Sequence, residues 1–493
     1  MTNKLITLSE LEAYLWGAAN LMRGSIDAGE YKNYIFPLLF VKRLSDVYDE
    51  EFEEALEASG NDEEFAALPE QHAFQVPKEA HWKQIREKNA EVGRAIQNAM
   101  RAIETANPRL EGVFGDAQWT NSNRLSNSML RNLIEHFSMY DLRIANVPED
   151  ELGQGYEFLV KKFADDAGHT AQEFYTNRTV VHLMTELLQV KPAESVYDPT
   201  CGTGGMLLSA SRYLKSKNKE HRNLRLFGQE RNVTTSSIAR MNLFLHGIED
   251  FEIARADTLE DPHFVKNDQL RTFDVVLANP PYSISQWNRD AWKSDRWGRN
   301  TFGTPPQGRA DYAFFQHIVS SMDKKTGRCA ILFPHGVLFR KEEVAMRRAM
   351  VEADVIDTVI GLGPNLFYNA PMESCIVICR SKKPKAHKGT VLFIDAINDV
   401  TKERSNSYLS DENQKKITAA FNSDEDVVAL SKRVKIEDIE AENFDLTVHR
   451  YVERVQADGG ISVSESVDAF QTTHSLLANA LSGVFSGHGA HKQ

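Results

Sequence analysis

From Ser195 onward, short apolar runs recur between helical stretches, and this alternation most constrains the fold. The runs cover 195–198, 224–230, 252–256, 273–278, 329–334, 355–362, 374–379 and 390–395. Strands that alternate with helices bury both faces of their sheet, so each run reads as continuously apolar rather than as every second residue. The pattern predicts an α/β chain with a doubly wound, mostly parallel sheet. At 493 residues the chain is too long for one ordinary core, and further domains are expected.

Residues 1 to about 140 carry a different signal. "TLSE", Thr7 to Glu10, is a capping-box pattern, and Leu8, Leu11, Leu15, Ala18 and Met22 follow at helical spacing. "YIFPLLFVKRLSDVYDEEFEEAL" predicts a second helix, with Pro37 near its start or at a kink. More helix is expected over 88–105 and 126–137. These stretches make an all-helical domain over 1–145. A polar segment, 141–154, leads into the domain that holds the alternating strands, over 150–450. Beyond Ser431 the pattern is helical and charged again, and 451–493 forms a C-terminal helical segment with a flexible tail. There Val463, Val467, Phe470, Leu476, Leu477 and Leu481 give one apolar face. It packs either on its own body or on a partner subunit, and the second is the expectation.

Several strand ends carry residues suited to a ligand. "VYDPTCGTGG" ends a strand at Asp198 and opens a helix through a glycine-rich turn. Gly202, Gly204 and Gly205 allow close backbone approach and offer N–H groups at a helix N-terminus. The spacing is neither that of a dinucleotide fold nor that of a P-loop. An acid at the strand end suits a ligand with a cationic amine, and S-adenosylmethionine has both a cationic amine and a carboxylate. A tight βα turn without a ligand explains the glycines equally. "LFGQERN" ends the next strand at Glu230, where a carboxylate can hold a ribose diol. Asp257 in "ARADTL" can accept from an adenine amine or cap a helix. All three acids fall at carboxyl ends of successive strands, the edge where such sheets bind ligands.

The run 273–278 stops at Asn279, Pro280, Pro281 and Tyr282. Proline has no N–H, so a carbonyl here can serve a ligand without a competing donor nearby. The Asn279 side chain adds a second acceptor. Two adjacent acceptors can hold one NH₂ group, draw its nitrogen toward tetrahedral geometry and free its lone pair. Tyr282 offers a face for a planar base. This chemistry suits methyl transfer to adenine N6, cytosine N4 or a protein glutamine amide; a non-catalytic scaffold that keeps the fold is a further alternative.

The stretch that follows, "SISQWNRDAWKSDRWGRNTFGTPPQGRAD", combines Trp287, Trp292 and Trp297 with Arg289, Lys293, Arg296, Arg299 and Arg309. It is read as a DNA-contacting loop carried by Trp287, Arg289, Trp292, Lys293, Arg296, Trp297 and Arg299, or as a folded insertion with a small aromatic core. Net charge is −13, so the average surface repels a polyanion, and grip on nucleic acid must be local or come from another subunit. The four cysteines lack zinc-site spacing and are expected to be buried free thiols, and no metal is expected. Without a signal-peptide pattern or a membrane-length apolar run, the chain is expected in the cytoplasm.

The order of "DPTCGTGG" and then "NPPY" resembles the amino-methyltransferases of the gamma arrangement. More closely, the chain resembles the modification (M) subunit of type I restriction–modification systems. "YKNYIFPLLFVKRLSD", "AQEFYTNRTVVHLM", "RADYAFFQHIVSSM", "ILFPHGVLFR" and "GLGPNLFYNAPMESCIVI" carry the match over roughly residues 7 to 450. The resemblance implies a class I S-adenosylmethionine-dependent methyltransferase fold and N6-adenine methylation of DNA. It implies a cofactor site of Asp198, Gly202, Thr203, Gly204, Gly205, Glu230 and Asp257. Gln172, Glu173, Phe174, Tyr175, Thr176 and Asn177 would lie over the cofactor, though Phe174 and Tyr175 suit a core equally. Asn177 stands where the family usually has proline, and Gln172 where glycine is common. Asn279 to Tyr282 would hold the adenine, flipped from double-stranded DNA. The implied partners are a specificity (S) subunit, a second M subunit and a restriction (R) subunit.

Overall fold

The computed structural model describes residues 6–166, 176–366, 373–402 and 407–453. The described residues from Ile6 to Val452 form one compact unit. The apolar face expected over 463–481 lies outside the described residues, as do Gln172, Glu173, Phe174 and Tyr175.

Nine strands build the central sheet. In chain order they are β1 (Ser195–Asp198), β2 (Arg225–Glu230), β3 (Phe251–Arg255), β4 (Val275–Ala278), β5 (Arg328–Pro334), β6 (Ile356–Leu362), β7 (Ser374–Arg380), β8 (Thr390–Ala396) and β9 (Ser431–Lys435). Across the sheet the order is β9-β8-β6-β7-β5-β4-β1-β2-β3. The β3-β2-β1-β4-β5 half is parallel throughout. Strand β7 runs antiparallel between β5 and β6. Every residue of β1, β4, β5 and β6 is buried, which is why these strands read as unbroken apolar runs. Strand β1 pairs with β2 on one side and β4 on the other. The strand order therefore reverses there, and a crevice opens beyond the carboxyl ends of β1 and β4.

The eight expected strands are present, the first with unchanged bounds and the others with ends within two residues of those expected. Phe273 lies just before its ladder, in an isolated bridge with Met322. One expectation is corrected: the chain after Ser431 does not turn helical at once but adds β9, antiparallel to β8. Its sequence, "SKRVK", buries only Ser431 and Val434. An edge strand needs one apolar face, and its lysines discourage further pairing. A helix, Ile436–Ala441, follows.

Among the described residues no strand precedes Ser195. Helix Leu8–Met22 starts at a true capping box: the Thr7 hydroxyl accepts from the Glu10 N–H at 3.3 Å, and the Glu10 carboxylate accepts from the Thr7 N–H at 3.0 Å. Helix Lys32–Ala58 carries Pro37 in its second turn. Its acidic residues are not merely solvated. Asp46 accepts from the Leu142 N–H at 2.6 Å, and Glu50 from Ile144 and Ala145 at 2.6 and 2.9 Å. They tie down the polar segment before helix Glu149–Asp166. The helical core runs on into Ile238, Met241 and Leu245 of helix Val233–Leu245, and Tyr156 donates to the Ile238 carbonyl at 3.2 Å. No described helix is long and apolar enough to cross a membrane. All four cysteines are buried and unbridged.

Candidate active site at the carboxyl edge of the sheet

The order β3-β2-β1-β4 sets Asp257, Glu230, Asp198 and Asn279 side by side. Neighbouring strands lie about 4.8 Å apart, so four polar side chains share one short stretch of edge.

Asp198 closes β1 and is 1% exposed. Its Oδ1 accepts from the Thr200 N–H at 3.0 Å. Burial, with the charge of Glu230 adding to it, pushes its carboxyl up to about 8, although the Thr200 N–H pulls the other way. The chain then turns through Cys201, whose N–H donates to the Gln229 carbonyl of β2 at 2.9 Å. Gly204, at φ +82°, caps helix Gly205–Ser216 in the left-handed region that glycine adopts most readily. Glu230 at the end of β2 reaches back across this turn. Its Oε2 accepts from the Gly202 N–H at 3.1 Å and its Oε1 from the Asn232 N–H at 2.7 Å. The Thr203 carbonyl accepts from Asn242 Nδ2 at 2.9 Å. Asp257 does cap a turn: its Oδ1 accepts from Leu259 and Glu260 at 2.9 and 3.2 Å, while Oδ2 lies 3.3 Å from the exposed Arg231.

On the other side of Asp198 stands the Asn-Pro-Pro-Tyr turn. Asn279 Nδ2 donates to Thr176 Oγ1 at 2.9 Å, and the Tyr282 hydroxyl donates to Asn279 Oδ1. Burial pushes the Tyr282 hydroxyl well above its usual value, so it stays protonated. Beyond the turn Ser283 adopts a left-handed φ of +53°. Its N–H donates to Asp311 Oδ1 at 2.7 Å, and Arg340 holds Asp311 Oδ2 at 2.5 Å. That pair braces the exit of the turn against the "HGVLFR" segment.

Three consecutive residues join the two halves of the site. Thr176 meets Asn279. Asn177, in the place of a proline, caps helix Arg178–Leu188 through the Thr179 N–H at 3.0 Å and donates to the Ser407 carbonyl at 2.9 Å. Proline could do neither. Arg178 packs its guanidinium against Gly205, where any Cβ would collide with it, and pairs with Glu157 at 2.6 Å. Arg212 holds the other Glu157 oxygen at 2.8 Å. Burial raises the Glu157 carboxyl, but the two guanidiniums outweigh it and leave it below its usual value. Arg178 escaped the sequence reading; its signal was its place directly after the Thr176-Asn177 pair.

The tryptophan-rich stretch is a folded insertion, and here two expectations are corrected. Arg299 is 1% exposed. It binds Asp295 at 2.6 Å and the carbonyls of Thr258 and Leu259 at 2.8 and 2.7 Å, with its guanidinium over Trp292 and Trp297. Trp292 is 2% exposed. Both were expected to face DNA; instead they form the inside of the loop. The loop's surface carries the exposed Lys293 and Arg296 and the partly exposed Trp287, Arg289 and Trp297. Lys293 pairs with Asp290, and Arg296 with Asp268.

Comparison with known proteins places this geometry. The family model for N-6 DNA Methylase matches residues 147–459, and that for the HsdM N-terminal domain matches 11–137. The chain belongs to the N-6 DNA methylase family. It is 30% identical to the type I restriction enzyme MjaVIII methylase subunit of Methanocaldococcus jannaschii, over 95% of this chain and 82% of that one. It is 28% identical to the MpnII methylase subunit of Mycoplasma pneumoniae, over 90% of this chain and 89% of that one. The crystal structure of the type I restriction-modification system methyltransferase subunit from Streptococcus thermophilus superposes with a TM-score of 0.79 at 29% identity, covering 91% of this chain and all of that one. The resemblance to type I modification subunits and the class I methyltransferase fold are thereby borne out. Of the activities the turn chemistry left open, N6 methylation of DNA is the one that the family carries.

Proposed function

We propose that the chain transfers a methyl group from S-adenosylmethionine to N6 of an adenine flipped out of duplex DNA, as the methylase subunit of a type I restriction–modification complex. The observation that carries this reading is the row of Asp198, Glu230 and Asp257 beside the Asn279 turn on adjacent strand ends.

The residues present fit the ligand. A buried carboxyl with its proton held to about pH 8 is a natural partner for a cationic amine, which would ionise it. The helix that opens at Gly205 suits a carboxylate, Glu230 suits a ribose diol, and Asp257 or its neighbours suit an adenine edge. When bound, S-adenosylmethionine supplies a methyl group activated by its sulfonium. The chain's own part is to present the nucleophile. Asn279 Oδ1 has two lone pairs, one engaged by Tyr282; the other, with a backbone carbonyl of the proline turn, can accept the two N6 hydrogens. This would free the nitrogen lone pair to take up the methyl group in line as its bond to sulfur breaks, the sulfur leaving as a neutral thioether and the surplus amine proton passing to solvent. No strong base is needed. Tyr282 offers its ring to the base, at the loss of its bond to Asn279 where the ring must turn.

Sequence choice belongs to the partner. With a net charge of −13, the chain is suited to hold DNA only within a complex. We place it with a specificity subunit and a second copy of itself, joined by a restriction subunit, in the cytoplasm. Labelled methyl transfer to duplex DNA, with and without the specificity subunit, tests the reading. Label in N6-methyladenine, dependent on that subunit, is the expected result. Label in N4-methylcytosine or in protein, or no label with the complete complex, overturns it.

A further inference from the structure

We infer that Thr176 is a positioning residue for the catalytic carboxamide: its hydroxyl holds Asn279 in the orientation that turns Oδ1 toward the target amine. This deepens the proposed function and rests on it.

An asparagine side chain rotates easily about its last torsion, and its two ends are alike in shape. Only one of them can accept from an amine. When Oδ1 serves the target N6 hydrogens, Nδ2 must find its own acceptor in a part-buried site. Thr176 Oγ1 is that acceptor, at 2.9 Å. The opposite end of the amide is held by the Tyr282 hydroxyl, so the plane of the group is fixed from both sides. A tyrosine that swings to stack on a base would release its end, and Thr176 would then be the contact that keeps the amide in place.

The position of Thr176 is itself fixed. The next residue, Asn177, bonds the Thr179 N–H and the Ser407 carbonyl, and the one after, Arg178, is seated on Gly205. The threonine is thus tied by the backbone to the glycine turn of the cofactor site, although it reaches across 103 residues of sequence to Asn279. By resemblance it belonged to the cofactor loop; its hydroxyl serves the other half of the site.

The test uses the complete complex with the specificity subunit. Thr176→Val keeps the shape and removes the acceptor; Thr176→Ser keeps the acceptor. We expect Thr176→Val to lower kcat roughly 10- to 100-fold, the usual effect of removing an orienting contact. S-adenosylmethionine affinity by calorimetry should stay within about threefold, and Thr176→Ser should restore the rate. An unchanged kcat in Thr176→Val overturns the inference. So does a loss confined to cofactor affinity, which would put the hydroxyl in the cofactor site, or an equal loss in both variants, which would reflect shape alone. A wild-type complex that methylates no adenine would instead sink the proposed function itself.

Discussion

The guanidinium of Arg178 occupies the space that a side chain on Gly205 would need. This contact, beside the Thr185–Ser209 hydroxyl bond further along, ties the helix after Asn177 to the glycine turn after β1. A Cβ at position 205 would meet the end of this flexible side chain, so the arginine must shift to make room for it.

Gly205→Ala should therefore push Arg178 off Glu157, a carboxylate whose side chain is 11% exposed. Displacing the tip of this flexible side chain and loosening its ion pair should cost about 1 kcal/mol or less. Denaturant unfolding should show that loss, and calorimetry should show weaker S-adenosylmethionine binding. Arg178→Ala in the same chain should recover part of the stability, because Arg212 still pairs with Glu157. A Gly205→Ala chain as stable as the wild type would mean that Arg178 moves aside freely.

Asn279→Ala should abolish methyl transfer while cofactor affinity stays as it was. The side chain bonds Thr176 and Tyr282 and none of the glycine turn. Loss of one preorganised polar contact typically costs about 10² or more in rate. Near-normal turnover in the variant would remove Asn279 from the reaction.

The parallel half of the sheet was legible because its strands are buried on both faces, so apolar composition alone marks them. Strand β9 was not, since "SKRVK" pairs at the sheet edge and only Val434 among its larger side chains is buried. The acids at the strand ends were legible from their spacing after each apolar run. The links from Thr176 to Asn279 and from Arg178 to Gly205 were not, because they join positions far apart in sequence and depend on the packing of helix Arg178–Leu188. The tryptophan-rich loop misled for a related reason. Arginine and tryptophan read as exposed binding groups in sequence, yet Arg299 is neutralised by Asp295 and sandwiched by indoles inside the loop.

That difference inside one loop can be measured. Arg299→Ala leaves Asp295, with a side chain 2% exposed, without its partner. Breaking a buried pair in this way costs about 3–5 kcal/mol, and the loop should become protease-sensitive. Arg296→Ala removes a solvent-exposed pair with Asp268 and should change stability by roughly 0.5 kcal/mol or less. In the complete complex it should weaken DNA binding and reduce the salt dependence by about one ion. Equal stability in the two variants would contradict the buried role of Arg299.

The proton on Asp198 should be displaced when the cofactor binds. Burial raises its carboxyl to about 8, far above its value in an unfolded chain. The folded state thus binds this proton more tightly, and the stability it contributes is complete below the ordinary carboxylate range and lost as pH rises through about 8. At neutral pH the ligand-free chain holds the proton. A cationic amine placed against the group favours the carboxylate, so binding should expel the proton. Near pH 7 the release should approach roughly one proton per site, and it should fall away above about pH 9, where the group is already ionised. Calorimetric titration with S-adenosylmethionine in buffers of different ionisation enthalpy reads this number directly. Asp198→Asn should bind more weakly and lose the buffer dependence. Binding heats that are the same in every buffer for the wild-type chain would mean that the cationic group of the ligand does not sit on Asp198.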